Sequence, residues 1–219
     1  MQIDRFAPWY RWVEYAAFGR ALERRRFAFL HRLAGARQIL ILGAGDGRML
    51  QRLLRVAPQA QIDVIETSAA MIDLARRRAV DSPRVSFRLG DARRVPFPDS
   101  PYDAVVTMFF LDCFDEAELR ALIPKIERAM APRAMWIVSE FAIPAHGWRR
   151  LHAMVWIWIM YRFFGAVSGL RVRALPPIER LLAEANLLSS EREEERWGSI
   201  RSEIFRKRQY VNKSGGAGW

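Results

Sequence analysis

The strongest constraint on the fold is a run of four apolar residues that leads into a glycine-rich turn. Residues 39–42 read Ile-Leu-Ile-Leu, and the turn that follows contains Gly43, Ala44, Gly45 and Gly47. An unbroken apolar run suits a strand buried on both faces of a parallel sheet, and alternate glycines allow a tight turn against a ligand. An amphipathic pattern from Arg48 predicts a helix whose first N–H groups point into the same crevice. The stretch therefore predicts a nucleotide-like ligand at the first strand of an α/β sheet.

Three further segments follow in the order that such a sheet requires. Residues 62–65 form a second apolar strand that ends at Glu66, and residues 84–88 form a third, followed by Gly90, Asp91 and Ala92. A fourth strand begins near Tyr102. Glu66 lies 23 positions after Gly43, near the offset at which a carboxylate accepts hydrogen bonds from ribose hydroxyl groups.

Together, the Gly-x-Gly-x-Gly turn and the three later segments resemble the class I S-adenosylmethionine-dependent methyltransferases over residues 38–141. The resemblance implies a Rossmann-like, seven-stranded, mostly parallel sheet with helices on both faces and a reversed last strand. It implies S-adenosylmethionine as the cofactor and an in-line methyl transfer in which the protein holds donor and acceptor close and aligned. The cofactor contacts that it implies come from Gly43, Ala44, Gly45, Gly47, Glu66, Thr67, Met71, Asp91, Ala92, Met108 and, in the N-terminal extension, Tyr10.

Two positions depart from the patterns with which the turn can be compared. A dinucleotide fingerprint requires glycine where Arg48 stands. The methyltransferases often carry an acidic residue where this chain has Ile41. Two alternatives therefore stay open: an NAD(P)-dependent oxidoreductase with a Rossmann fold, and a basic RNA- or membrane-binding protein with a vestigial cofactor site.

The fourth strand is expected to run from Ala104 to Phe114 into the crevice, where open α/β sheets place their chemistry. Asp112 is the carboxylate in this exit and the first candidate for a catalytic base, with His146 and His152 behind it. Glu140, at the end of the fifth strand, is a second carboxylate at the same edge. Aromatic rings that could lie near the sulfonium group are those of Phe109, Phe110 and Tyr161.

Domain boundaries follow from these segments. Residues 1–37 are expected to form a helical extension that covers the cofactor site, residues 38–211 the methyltransferase domain, and residues 212–219 a flexible tail. Residues 142–175 form a variable hydrophobic insert. Within it, residues 151–164 are apolar on every face but shorter than the roughly 20 residues of a membrane span. This segment could be core, a substrate lid or a membrane contact, and its apolar character predicts a small, hydrophobic methyl acceptor.

Composition limits the partners and the compartment. The net charge is +11, and only three of the 35 basic residues are lysine, but the arginines are spread along the chain. Helix clusters such as Arg24–Arg26 and Arg76–Arg78 are expected to be solvated faces, so no nucleic-acid partner is expected. The single cysteine, Cys113, is expected to be a buried thiol in a reducing compartment. No metal-ligand pattern and no secretory signal stand out, which makes the cytoplasm the expected location.

Overall fold

The computed structural model describes residues 21–97, 101–144, 147–148, 150–151, 154–155, 175–195 and 198–208. Several predicted features lie outside these residues: Tyr10, His146, His152, Tyr161, most of the 142–175 insert and the 212–219 tail. Within the described ranges, no helix combines the length and the apolar character needed to cross a membrane.

One mixed sheet of seven strands forms the centre of the described chain, in the order β3-β2-β1-β4-β5-β7-β6. Strands β1 to β5 are parallel, and β7 runs antiparallel to both of its neighbours. This confirms the predicted Rossmann-like sheet and its reversed last strand. The strands are β1 Gln38–Leu42, β2 Gln61–Glu66, β3 Val85–Leu89, β4 Tyr102–Met108, β5 Met130–Phe141, β6 Leu187–Glu195 and β7 Ile200–Lys207.

Helices lie on both faces of the sheet, and their first residues explain where they begin. Ser68 caps its helix by accepting a hydrogen bond from the Met71 N–H, and Asp115 forms a capping box with Glu118. The α-helices whose two ends lie within the described ranges are α1 Ala21–Phe27, α2 Arg48–Val56, α3 Ala69–Ala79, α4 Glu116–Ala129 and α5 Ile178–Glu184.

The sheet separates two apolar cores. One lies between the sheet and α2, α3 and the turn Leu30–Leu33, and the other lies between the sheet and α4 and α5. The residues of β1 alternate between the two cores, and those from Ile39 to Leu42 have no exposed surface. The four-residue apolar run is thus explained, because both faces of this strand pack against helices.

Two sequence-based boundaries and one expectation about a charged cluster were wrong. The fourth strand ends at Met108 and does not continue to Phe114, because Phe109 has a positive φ of 53° and a short turn, Leu111–Cys113, follows it. Strand β5 begins at Met130, which had been expected at the end of the helix. The Arg24–Arg26 cluster is also not merely solvated, since Arg25 pairs with Glu193 and Glu195 and joins α1 to β6.

Candidate active site

The glycine turn after β1 has left-handed backbone at each of its three glycines, with φ angles of 75°, 52° and 82°. A Cβ atom on Gly43 would lie 2.8 Å from Cδ2 of Phe110, and one on Gly47 would lie 2.5 Å from Cα of Ala75. These two glycines are therefore required by packing within the protein. A Cβ atom on Gly45 would meet nothing within 4 Å, so this glycine borders open space that a side chain would fill.

Glu66 ends β2 and is hydrogen-bonded to the same turn. Its Oε1 accepts the N–H groups of Thr67 at 2.8 Å and Ser68 at 3.1 Å, while its Oε2 accepts the Gly45 N–H at 3.2 Å. Burial raises the pKa of this carboxyl group, although the three backbone donors oppose the effect. Oε1 already accepts two backbone N–H groups, but Oε2 accepts one and has a further lone pair, so Glu66 can still accept a hydrogen bond from a ligand.

Asp91 lies beside Glu66, because the Gly90 N–H donates to the Glu66 carbonyl at 2.9 Å. The Arg93 side chain donates to both oxygens of Asp91, and its hydrogen bonds hold the pKa of Asp91 below the usual range. The structure thus brings the two predicted cofactor acids to neighbouring strand ends. A ligand amino group at Asp91 would share that carboxylate with Arg93.

Sequence reasoning missed Lys125, which holds the loop that carries Asp91. From α4, its ammonium group donates to the carbonyl oxygens of Ala92 at 2.7 Å, Arg93 at 3.2 Å and Val95 at 2.7 Å. Burial lowers the pKa of this amine. The sequence does carry one signal for Lys125, because lysine is rare in a chain that otherwise uses arginine.

A second network that sequence reasoning missed explains the role of Arg48, which stands where a dinucleotide-binding fingerprint has glycine. The Arg48 Nε lies 2.9 Å from Oδ2 of Asp46, and Arg78 Nη1 lies 2.7 Å from the same oxygen. Burial would raise the pKa of Asp46, but the charges of the two arginines outweigh it and lower the pKa. The Arg48 side chain is therefore paired with Asp46 inside the turn, and Arg78 joins the turn to α3 through the same carboxylate.

Four of the smaller predicted contacts are buried, and a fifth is exposed. Ala44, Met71, Ala92 and Met108 are all buried, with 3% to 8% of their surface exposed. Met71 belongs to the helix that Ser68 caps, and Met108 is the last residue of β4. Thr67, by contrast, is exposed and directs its N–H to Glu66.

Asp112 and Glu140 form a buried pair of carboxyl groups where β4 and β5 end. They are 5% and 6% exposed, and Glu140 Oε1 accepts the N–H groups of Phe110 at 3.1 Å and Leu111 at 2.8 Å. Burial raises the pKa of Asp112 to about 6 and that of Glu140 well above its ordinary value. The two side chains are also hydrogen-bonded to each other, which requires that they share a proton.

Cys113 corrects an expectation, because the residue is exposed and not buried. Its sulfur nevertheless lies 3.6 Å from Oδ1 of Asp112. Surrounding protein and the negative charges of Asp112 and Glu140 raise the pKa of the thiol. Cys113 is therefore a protonated donor to Asp112 at neutral pH.

Aromatic rings and one arginine connect the N-terminal extension to this edge. The Arg26 guanidinium, on α1, lies 5.3 Å from the centre of the Phe109 ring, which in turn lies 5.0 Å from the Phe141 ring. The hydroxyl groups of Ser139 and Ser202 donate to the Arg25 carbonyl. The described part of the extension thus reaches the ends of β4 and β5.

Metal ligands were not expected, and the described ranges hold no group of three or more His, Cys, Asp or Glu side chains placed to bind a metal ion.

Comparison with known proteins supports this interpretation. A family model described as a methyltransferase domain matches residues 39–133. A demethylmenaquinone methyltransferase of Thermus thermophilus is 31% identical over 156 residues, which cover 70% of each chain. One of Deinococcus radiodurans is 33% identical over 125 residues, covering 56% of this chain and 51% of the relative. This chain therefore spans about half the length of that relative.

Among solved structures, a mitomycin 7-O-methyltransferase shares the fold with a TM-score of 0.66 at 16% identity, over 86% of this chain and 54% of that one. At this low identity, the structural similarity supports the architecture alone. The matches in sequence, the order of the strands and the glycine turn are consistent with one another. The chain belongs to the class I S-adenosylmethionine-dependent methyltransferase family.

Proposed function

We propose that this protein transfers a methyl group from S-adenosylmethionine to a small, hydrophobic acceptor. The observation that carries the proposal is the Gly45 N–H bonded to Glu66 beside space that a Cβ atom would fill. Bound S-adenosylmethionine supplies an electrophilic methyl group on a sulfonium sulfur. The turn from Gly43 to Gly47 and the carboxylates of Glu66 and Asp91 would hold it.

In an in-line displacement, the role of the protein is to keep donor and acceptor aligned and to exclude water. If the acceptor atom is a hydroxyl oxygen, its proton needs a base. Asp112, with a pKa raised to about 6, is largely ionised at neutral pH and suited to accept that proton. Glu140 would act as the positioning residue, because it is hydrogen-bonded both to Asp112 and to the loop after β4.

The relatives guide the choice of acceptor to test first. Two of them are demethylmenaquinone methyltransferases by name, so a reduced naphthoquinone is a suitable probe. Transfer of an isotope-labelled methyl group to this compound, in the presence of the protein, would support the proposal.

Binding of S-adenosylhomocysteine, measured by calorimetry, separates this function from the oxidoreductase alternative. We expect S-adenosylhomocysteine to bind and NADH not to change its fluorescence on titration with the protein. NADH binding without S-adenosylhomocysteine binding would reverse the assignment. Binding of neither ligand, together with salt-dependent polyanion binding, would indicate a vestigial site on a basic adaptor.

A second proposal concerns contact with a membrane from its cytoplasmic side. Trp148, Leu151, Met154 and Val155 are 62%, 66%, 44% and 49% exposed, and the chain carries a net charge of +11. Apolar side chains on a basic protein suit an anionic lipid surface. We expect the protein to sediment with phosphatidylglycerol vesicles more than with phosphatidylcholine vesicles, and Leu151→Glu to reduce the difference. Equal sedimentation with both would dismiss the contact.

A further inference from the structure

A cavity of about 300 Å³ lies beside the ends of β5 and β7, on the face of the sheet that carries α5. The end of β5 and the residues after it form one wall, β7 forms another, and residues 175–180 close it. Its apolar surface includes Phe141, Ile143 and Pro177, and its polar side chains include Glu140, Arg201 and Glu203.

Buried polar atoms without hydrogen bonds converge on this cavity. Among the described residues, two buried side-chain atoms without a hydrogen-bond partner are Nε of Arg201 and Oε2 of Glu203, and Oε2 of Glu140 has none apart from the proton that its carboxyl group shares with Asp112. All three residues line the cavity, and both glutamates are more than nine-tenths buried. Because a buried polar atom without a well-aligned hydrogen bond is destabilising, the arrangement favours a ligand that supplies hydrogen bonds to these atoms.

The charges around the cavity are already balanced. Glu203 Oε2 lies 2.9 Å from Arg192, and Arg201 Nε lies 3.0 Å from Glu194, in both cases at ion-pair distance but outside hydrogen-bond geometry. Arg201 Nη1 also donates to Glu179 at 3.0 Å. A charged ligand would bring an unmatched charge into this site, so a neutral ligand is favoured.

Glu140 joins the cavity to the candidate active site. The same side chain that lines the cavity accepts the N–H groups of Phe110 and Leu111. The Phe110 ring in turn packs against Gly43, in the glycine turn. A ligand hydrogen-bonded to Glu140 would therefore lie one residue away from the loop that borders the cofactor turn.

We propose that this cavity receives the methyl acceptor and selects a small, neutral ring compound that carries at least one hydroxyl group. The hydroxyl group donates to a glutamate oxygen and accepts from Arg201 Nε, while the ring packs against the apolar wall. At about 300 Å³ the cavity is at the small end of ligand pockets, so a fused ring pair fits but a long chain does not. The assignment of this ligand as the acceptor rests on the proposed methyltransferase function.

The test uses 2-naphthol as the probe and naphthalene as its counterpart without a hydroxyl group. Binding to the full-length protein is followed by naphthol fluorescence, and naphthalene is measured by competition. We expect 2-naphthol to bind at least about ten-fold more tightly than naphthalene, because only the hydroxyl group pairs the buried polar atoms. Equal affinity for the two compounds would overturn the polar part of the proposal.

Two variants locate the binding. Ile143→Trp places a large ring in the cavity and should abolish 2-naphthol binding. Glu203→Gln removes a carboxylate oxygen at nearly constant size and should weaken binding about ten-fold. Glu184→Gln, an exposed carboxylate on α5 with 45% of its side chain accessible, is the matched control and should have no effect. Unchanged binding in both cavity variants would place the ligand elsewhere and overturn the proposal.

S-adenosylhomocysteine affinity, measured on the same samples, keeps this proposal separate from the proposed function. Unchanged affinity in Ile143→Trp shows that the variant is folded, and its failure to bind naphthol then supports the cavity. Naphthol binding without S-adenosylhomocysteine binding would support the ligand site but overturn its role as the acceptor site. S-adenosylhomocysteine binding without naphthol binding would overturn the cavity proposal alone.

Discussion

The buried carboxyl group of Asp112 makes a quantitative prediction about pH and stability. The pKa of Asp112 rises from its ordinary value of 3.8 to about 6 on folding. At about 1.4 kcal/mol for each tenfold change in affinity for the proton, the ionised folded state loses about 3 kcal/mol. Because the folded pKa is raised, this group's contribution to stability is complete below pH 3.8 and is lost as the pH rises through about 6.

Asp112→Asn should remove this loss, because it replaces the titrating carboxyl group with a neutral amide. The amide oxygen can still accept hydrogen bonds from the Cys113 thiol and from a protonated Glu140. The gain in stability relative to the wild type should therefore grow from near zero below about pH 4 to about 3 kcal/mol by about pH 7. For a chain of this size the gain corresponds to about 6 to 12 °C in melting temperature.

Thermal melting followed by circular dichroism, at a series of pH values, measures the difference between variant and wild type. Glu184→Gln serves as the control, because this carboxylate is exposed and its ion pairs should contribute less than about 1 kcal/mol at any pH. A melting-temperature difference for Asp112→Asn that stays constant across the series would refute the raised pKa of Asp112.

Three further predictions concern the cofactor and the reaction. Glu66→Ala should weaken S-adenosylhomocysteine binding, measured by calorimetry, by about 1–3 kcal/mol through the loss of a charged hydrogen bond. Asp63→Ala, on the same strand, should not weaken binding, and equal affinities of the two variants would remove Glu66 from the site. Asp112→Asn should slow methyl transfer to a hydroxyl acceptor by about 10² to 10⁴-fold, if Asp112 is the base, without changing cofactor affinity, and an unchanged rate would dismiss that role. Lys125→Met should weaken S-adenosylhomocysteine binding by about three- to ten-fold, because the loop that carries Asp91 loses its hydrogen-bond donor. Lys207→Met, which loses a similar contact to the Met130 carbonyl, is the control. Equal effects of the two variants would argue against a special role for Lys125.

The sequence predicted the sheet and the glycine turn well where the pattern is local. Four buried residues followed by glycines can form few structures other than a central strand and a turn, and β1 and Gly43–Gly47 confirm this. Capping at Ser68 and Asp115 was equally predictable, because it depends on residues three positions apart.

The features that the sequence did not predict depend on residues far apart in the chain. Lys125 contacts a loop about 30 positions earlier, and Glu140 contacts the loop at Phe110 across the same distance. The exposure of Cys113 and the end of β4 depend on the positive φ of Phe109, which the apolar sequence around it does not reveal. Asp112 was identified as a carboxylate in the crevice, but its partnership with Glu140 required the register of β4 and β5.

The central claim is that the space beside Gly45 receives the cofactor, and a pair of glycine variants tests it directly. Gly45 and Gly147 both have positive φ, and in both cases an added Cβ would meet nothing within 4 Å. Valine at either position therefore brings comparable backbone strain, but only Gly45→Val fills the proposed cradle. Calorimetry with S-adenosylhomocysteine should detect binding to the wild type and to Gly147→Val and none to Gly45→Val. Equal affinity in all three proteins, or no binding to the wild type, would contradict the account.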